Sequence, residues 1–469
     1  MKHFKALFVI ALGILASVPA FAETQNVKVS GSIDAYAFYR SNYDLLDNND
    51  ASVLAQGSAV PAQSHIGTTT QRSEVDEFFR TTTQIEVAAD LTDNVSTVIN
   101  LVNERDWTNG TDTNEFDIAL DLAYVQMKEI FYSPLTLTIG RQDLWFGRGF
   151  IIGNNQRAWD NQGNTQADEY SATTAFDAIR ATLDFNPWTL DFVYSKIAEG
   201  SNNPEDDIDL YIVNVNYKFA EYNAVAEAYY VGEQDRRTLV GSAGATSVGD
   251  THGNDTHTLG GRVQFDPISQ ITLGGELAYQ FGDYRATNAT PERDRDAWAL
   301  DIFGTYRWDN AWKPELTVEY VYFSGEGDLS STTSGYGAWN SLYRGKFWTA
   351  YADFREFVYA TSDSVDQSAR TNNEFIQIKG ALKPLEDLLL EASFTYIWIP
   401  EDVHSTQGVQ SSTTRSEELG WEIDLQATYD YTEDVSFGYL VGWFVPGDFY
   451  NSPEDETAVD MVASCKVTF

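Results

Sequence analysis

Along most of the chain, hydrophobic and polar residues alternate with a period of two. Val27, Val29, Ile33, Ala35 and Ala37 share one face of the first such stretch, and Lys28, Ser30, Ser32 and Asp34 share the other. Ile271, Leu273, Leu277, Tyr279 and Phe281 oppose Thr272, Gly274, Glu276 and Gln280 in the same way. Near the end, Trp421, Ile423, Leu425, Ala427 and Tyr429 oppose Glu422, Asp424, Gln426 and Thr428. Successive side chains of a strand point to opposite sides, so one apolar face per stretch predicts half-buried strands. Strands are expected at 26–40, 74–90, 95–105, 116–129, 135–146, 176–186, 187–198, 207–218 and 222–232. The second half adds 256–266, 270–282, 296–308, 313–324, 373–383, 387–400, 416–430, 434–445 and 457–469, eighteen in all.

The connections say more than the strands. Even-numbered strands end in tight turns, such as Leu91-Thr92-Asp93-Asn94, Asn186-Pro187 and Asp266-Pro267-Ile268-Ser269. Odd-numbered strands end in long polar loops, such as 41–73, 147–175, 233–255, 324–372 and 401–415. A soluble sandwich has no need of that rule. An all-β transmembrane antiparallel barrel has it, with short periplasmic turns, long extracellular loops and apolar residues facing lipid. An even strand count also closes with both termini on the periplasmic side. Trp188, Trp308, Trp312, Trp398 and Trp443 sit near strand ends, where amphipathic rings favour a membrane–water boundary.

Composition then removes whole classes. The 469 residues carry 30 Lys and Arg against 70 Asp and Glu, a formal charge of −40, and such a surface would repel nucleic acid. Cys465 is the single cysteine, which excludes an intramolecular disulfide framework and Cys-rich metal sites. Residues 1–22 read as a signal peptide: Lys2 and Lys5, an apolar run from Ala6 to Val18, then Ala20-Phe21-Ala22 as a cleavage site. The barrel is expected to occupy 23–469. Acid clusters such as Glu205-Asp206-Asp207 and Glu454-Asp455-Glu456 in the long loops would meet outer-membrane lipid and lipopolysaccharide through bridging divalent cations.

Catalytic chemistry is hard to find. Past the leader, His65, His252, His257 and His404 are scattered without H-x-x-x-H spacing, so no metal or cofactor is expected. Gly345-Lys346 lacks the spacing of a phosphate loop, and Gly147-Arg148-Gly149 with Gly153 has the wrong spacing for a nucleotide fingerprint. A channel is the first reading. A barrel that scaffolds a partner protein and an outer-membrane hydrolase are the alternatives.

Several motifs resemble one family. Gly140-Arg141-Gln142, Gly153-Asn154-Asn155, Trp159 and Phe176-Asp177-Ala178-Ile179-Arg180 are similar to segments of the alginate export family of outer-membrane porins. So are Trp339-Asn340-Ser341-Leu342-Tyr343 with Lys346-Phe347, Leu419-Gly420-Trp421-Glu422-Ile423-Asp424, and Phe444-Val445-Pro446-Gly447. The resemblance implies an eighteen-stranded barrel passing a polar or anionic saccharide by passive diffusion, without enzymatic activity, through a pore lined with cations. It leaves room for a periplasmic export partner, and the C-terminal strand ending in Phe469 would engage the barrel-assembly machinery.

Candidate pore-lining residues follow. Arg80, Arg180, Arg262, Arg307 and Lys379 lie on polar faces, as do Glu422 and Asp424, while Arg141 and Asp177 come from the family-like motifs. Arg141 shares parity with Leu135, Leu137 and Ile139, so it must lie above the hydrocarbon unless a bulge at Gly140 turns it inward. The 324–372 loop is the longest, and Phe347, Tyr351 and Phe354 recur there at helical spacing. A short helix narrowing the pore is expected.

Overall fold

Eighteen strands form, within a few residues of where the alternation puts them. In the computed structural model they are β1 (Asn26–Ser41), β2 (Val75–Thr92), β3 (Val95–Asp106), β4 (Ala119–Lys128), β5 (Leu135–Gln142) and β6 (Phe176–Asp184). Next come β7 (Trp188–Ala198), β8 (Ile208–Lys218), β9 (Val225–Asp235), β10 (Asn254–Ile268), β11 (Ile271–Tyr284) and β12 (Arg293–Arg307). The last six are β13 (Glu315–Phe323), β14 (Asn373–Leu385), β15 (Leu388–Trp398), β16 (Glu418–Asp430), β17 (Val435–Pro446) and β18 (Ala458–Thr468). The structure describes residues 26–42, 45, 75–107, 117–153, 170–199, 207–236, 254–285, 292–327, 335–345, 349, 371–401, 416–449 and 456–469. The expected leader at 1–22 lies outside them.

Every strand pairs antiparallel with its sequence neighbours, and β18 returns to β1, with Ser32 opposite Thr468 and Ser41 opposite Val459. The sheet is therefore closed and has no free edge. Phe469 continues the closure: Gly31 N donates to Phe469 O at 2.9 Å, and Phe469 N donates to Gly31 O at 3.0 Å.

Burial is inside out. Leu277 is 54% exposed while its neighbour Glu276 is 2% exposed. Val27, Ile85, Leu259, Ile302 and Phe394 are exposed on the outer surface, whereas Asp34, Arg80, Asp191, Asp301 and Glu422 are buried within. That distribution suits a barrel whose outer solvent is hydrocarbon. Aromatic rings gather toward both rims: Trp188, Trp308 and Trp312 at the short-turn end, Trp298 stacked on Tyr322 nearer the other.

The hydrophobic core lies inside the barrel. It joins Phe176, Leu210, Ile212 and Val231 of β6–β9 to Val321, Phe323, Phe375 and Ile397 of β13–β15. What bridges them is loop: Leu144, Phe146, Phe150, Ile151 and Ile152 after β5, with Trp339, Leu342 and Tyr343 after β13. Two expectations are corrected here. Strand β5 stops at Gln142 rather than 146, because the chain turns into the lumen. The loop after it is not uniformly polar, because its first limb is buried among apolar wall residues.

The outward apolar face gives a direct test. Arginine in place of Leu277, midway along β11, should cost about 2–4 kcal/mol, and in place of Val27, near a rim, about 0–1 kcal/mol. Reversible guanidinium unfolding in lipid vesicles measures both. Equal costs would contradict the depth assigned to Leu277.

Candidate functional site

The segment from Asp143 to Gly153 enters the lumen and makes a tight turn at Gly147-Arg148-Gly149. Gly147 has φ +61° and Gly149 φ +79°, backbone that favours glycine, and a Cβ on Gly147 would lie 2.6 Å from Glu276 Oε1. Across the lumen the turn meets a transverse row of charge. Arg262 of β10 stands opposite Glu227 of β9 and Glu276 of β11, and Glu276 stands opposite Asp301 of β12.

This row takes up the turn atom by atom. Gly147 N donates to Glu227 Oε1 at 3.0 Å, and Arg262 Nη1 donates to Gly147 O at 2.7 Å. Arg148 N donates to Glu276 Oε2 at 3.0 Å, while Tyr229 OH donates to Glu276 Oε1 at 2.6 Å. The Arg148 guanidinium then reaches Asp301 Oδ2 at 2.8 Å and Glu319 Oε1 of β13 at 2.5 Å, and lies 3.8 Å from the centroid of the Phe303 ring. Carboxylates withdrawn from water need donors, and the loop brings them.

The return limb is clamped on the opposite wall. Ala172 N and Ser171 Oγ donate to Glu104 at 2.5 and 3.2 Å, and Thr174 N and Ala175 N donate to Asp121 Oδ1 at 2.9 and 3.3 Å. Residues 335–345, from the loop after β13, lie beside the inward turn. Tyr343 N donates to Ile151 O at 3.0 Å, Gly153 N to Tyr343 O at 2.7 Å and Gly345 N to Gly149 O at 2.6 Å. Gln280 exchanges two hydrogen bonds with the Asn340 backbone, and Tyr343 OH donates to Glu233 at 2.6 Å. The two segments thus hold each other and the wall.

The candidate lumen cations are all paired. Arg80 lies 3.6 Å from Glu104 and 3.7 Å from Asp106. Arg180 Nε donates to Asp191 at 2.8 Å, and its guanidinium lies 5.5 Å from the Phe146 ring. Arg262 is 3.9 Å from Glu227, Arg307 Nε donates to Glu315 at 2.8 Å, and Lys379 Nζ is 2.9 Å from Glu391. Arg80 lies near the long-loop end of β2 and Arg307 ends β12 at a short turn, so the set forms no single basic ring. Glu422 and Asp424 face inward and are buried, with Ser393 Oγ donating to Asp424 at 3.1 Å.

Arg141 and Asp177 are corrected. They pair with each other at 3.4 Å across β5 and β6, and the Asp177 side chain is 66% exposed between buried Phe176 and Ala178. Their parity is outward, at the long-loop ends of their strands. Register runs unbroken through Gly140, opposite Tyr124 and Ala178, so no bulge turns Arg141 inward. Phe347, Tyr351 and Phe354, with the helix expected there, lie outside the described residues.

Sequence reasoning missed Arg148 and its carboxylates. The cue was present: Leu144-Trp145-Phe146 and Phe150-Ile151-Ile152 flank a Gly-Arg-Gly turn, an apolar composition foreign to a water-exposed loop. Alanine at Arg148 should free the turn without disturbing the strand ladder. Hydrogen exchange at the Gly147 and Arg148 amides should quicken by about tenfold or more while β11 and β12 amides stay protected. Unchanged exchange would mean that the side chain does not hold the loop.

The model of the alginate export family matches residues 36–464. Among solved structures, Pseudomonas aeruginosa OccK8 (OprE) is 11% identical with a TM-score of 0.55, covering 95% of this chain and 98% of that one. Acinetobacter baumannii OccAB1 is 12% identical with a TM-score of 0.54, covering 96% and 99%. Pseudomonas aeruginosa OccK2 (OpdF) is 9% identical with a TM-score of 0.54, covering 95% and 98%. At these identities the likeness is one of fold. No curated protein matches the sequence.

Proposed function

The chain belongs to the alginate export family, and from that premise we propose that it passes a polar, saccharide-like solute across the outer membrane by diffusion. The barrel is an outer-membrane channel fold, and channels of this family are typically not enzymes. The observation that carries the reading is the lumen. Eighteen strands enclose an interior wide enough for water, and the protein spends two loop segments on narrowing it.

The wall supports a reading of the solute's charge. Asp34, Glu233, Glu276, Asp301, Glu319 and Glu422 face inward, and Arg80, Arg180, Arg262, Arg307 and Lys379 already face acids. An uncharged or weakly charged saccharide fits that field better than a dense polyanion. Residues 1–22 would direct export, the strand ending at Phe469 would engage the assembly machinery, and acidic outer loops would meet lipopolysaccharide through divalent cations. A periplasmic partner would follow if transport runs outward.

Planar-bilayer recording tests the proposal. Stable single-channel openings are expected, and a sealed barrel would favour the scaffold. Replacing Arg180 with alanine leaves Asp191 uncompensated, so the reversal potential in a salt gradient should move toward cations. An unmoved potential would place Arg180 outside the permeation path.

A further inference from the structure

The place where Arg148 sits has the construction of a binding site. Two carboxylates from adjacent strands, Asp301 and Glu319, converge on one guanidinium at 2.8 and 2.5 Å, and the Phe303 ring supplies a π-face 3.8 Å below it. The seat is deep, because Asp301 is 0% and Glu319 3% exposed. Its occupant is not: the Arg148 side chain keeps 18% of its surface open. The wall side has support besides the loop, since Tyr229 OH donates to Glu276 and the strand register carries Asp301 opposite Glu276. On the loop side this guanidinium is the one side-chain cation of the turn, beside the backbone bonds of Gly147 and Arg148 to the wall.

We propose that Arg148 is an internal ligand of a cation-binding seat, and that a guanidinium or primary ammonium group carried by a solute takes the same place and releases the constriction. The inference rests on the channel reading for its consequence, though not for the binding itself. Displacement is an exchange of one cation for another on the same carboxylates, so no buried charge is left unpaired during it. An uncharged group of the same shape offers no such exchange. The seat therefore selects the positively charged end of a solute, and the loop reports its occupation.

Calorimetric titration of the detergent-solubilised full chain with N-ethylguanidinium chloride tests the seat, with N-ethylurea as the uncharged counterpart. Arg148→Ala removes the internal competitor and should bind N-ethylguanidinium about tenfold more tightly, or better, than the unaltered chain. Arg148→Gln keeps a polar side chain without the charge and should also bind more tightly. Adding Glu319→Gln to Arg148→Ala should abolish the gain, and N-ethylurea should bind to none. In bilayers the guanidinium should raise conductance of the unaltered channel and leave that of Arg148→Ala unchanged. Equal affinity with and without Arg148, or tight binding that survives Glu319→Gln, overturns the proposal. Conducting channels without calorimetric binding sink the seat and leave the channel reading intact, whereas binding without stable openings does the reverse.

Discussion

The structure depends on carboxylates that have been taken out of water. Glu227, Glu276, Asp301 and Glu319 lie on four strands of the lumen wall, deep enough that bulk solvent cannot hydrate them. An ionised acid in that position must find hydrogen bonds or cations, or be destabilising by several kcal/mol. Arg262 and the Tyr229 hydroxyl supply part of the need from within the wall. The rest comes from a loop that enters from the far side and offers two backbone N–H groups and a guanidinium.

Much else follows from that demand. The turn must present N–H groups toward the wall within a few ångströms, which is why two glycines with positive φ flank Arg148. The limbs beside the turn must cross the interior, so they are apolar and carry a core with them. Phe150 stacks near Phe323, and Phe176 meets Tyr343 edge-on. The second segment then pairs with the first, and Gln280 and Glu233 fix it to the wall. The described parts of these two interlocked segments thereby occupy an interior that eighteen strands leave wide enough for water. Their hold is both polar and apolar, and none of it belongs to the strand ladder that closes the barrel.

The barrel was legible in the sequence because few folds besides a membrane barrel repeat a period of two eighteen times with alternating short and long connections. Parity along a strand was also enough to put Arg80, Arg180, Arg262, Arg307, Lys379, Glu422 and Asp424 on the inward face. Their carboxylate partners were not identifiable, because cross-strand register decides those. Arg141 and Asp177 show the opposite error: motif likeness suggested the pore, and parity, already uncomfortable for Arg141, was right. The inward loop went unread for a physical reason too. Strands such as β8, with Ile208, Leu210 and Ile212 inside and Tyr211 and Val213 outside, are apolar on both faces over part of their length. A lumen wall in contact with water would not be. That departure from alternation, beside the Leu144–Ile152 run, marks where the interior is covered.

The central claim is that the loop after β5 sets the size of the pore. The most direct test is single-channel conductance in planar bilayers of a variant in which residues 144–152 are replaced by a short Gly-Ser linker. Closed pairing of β1 with β18 does not involve these residues, so the barrel should still fold. The account predicts a conductance severalfold larger than that of the unaltered channel. Conductance equal to the unaltered channel's, from a folded barrel, would contradict it.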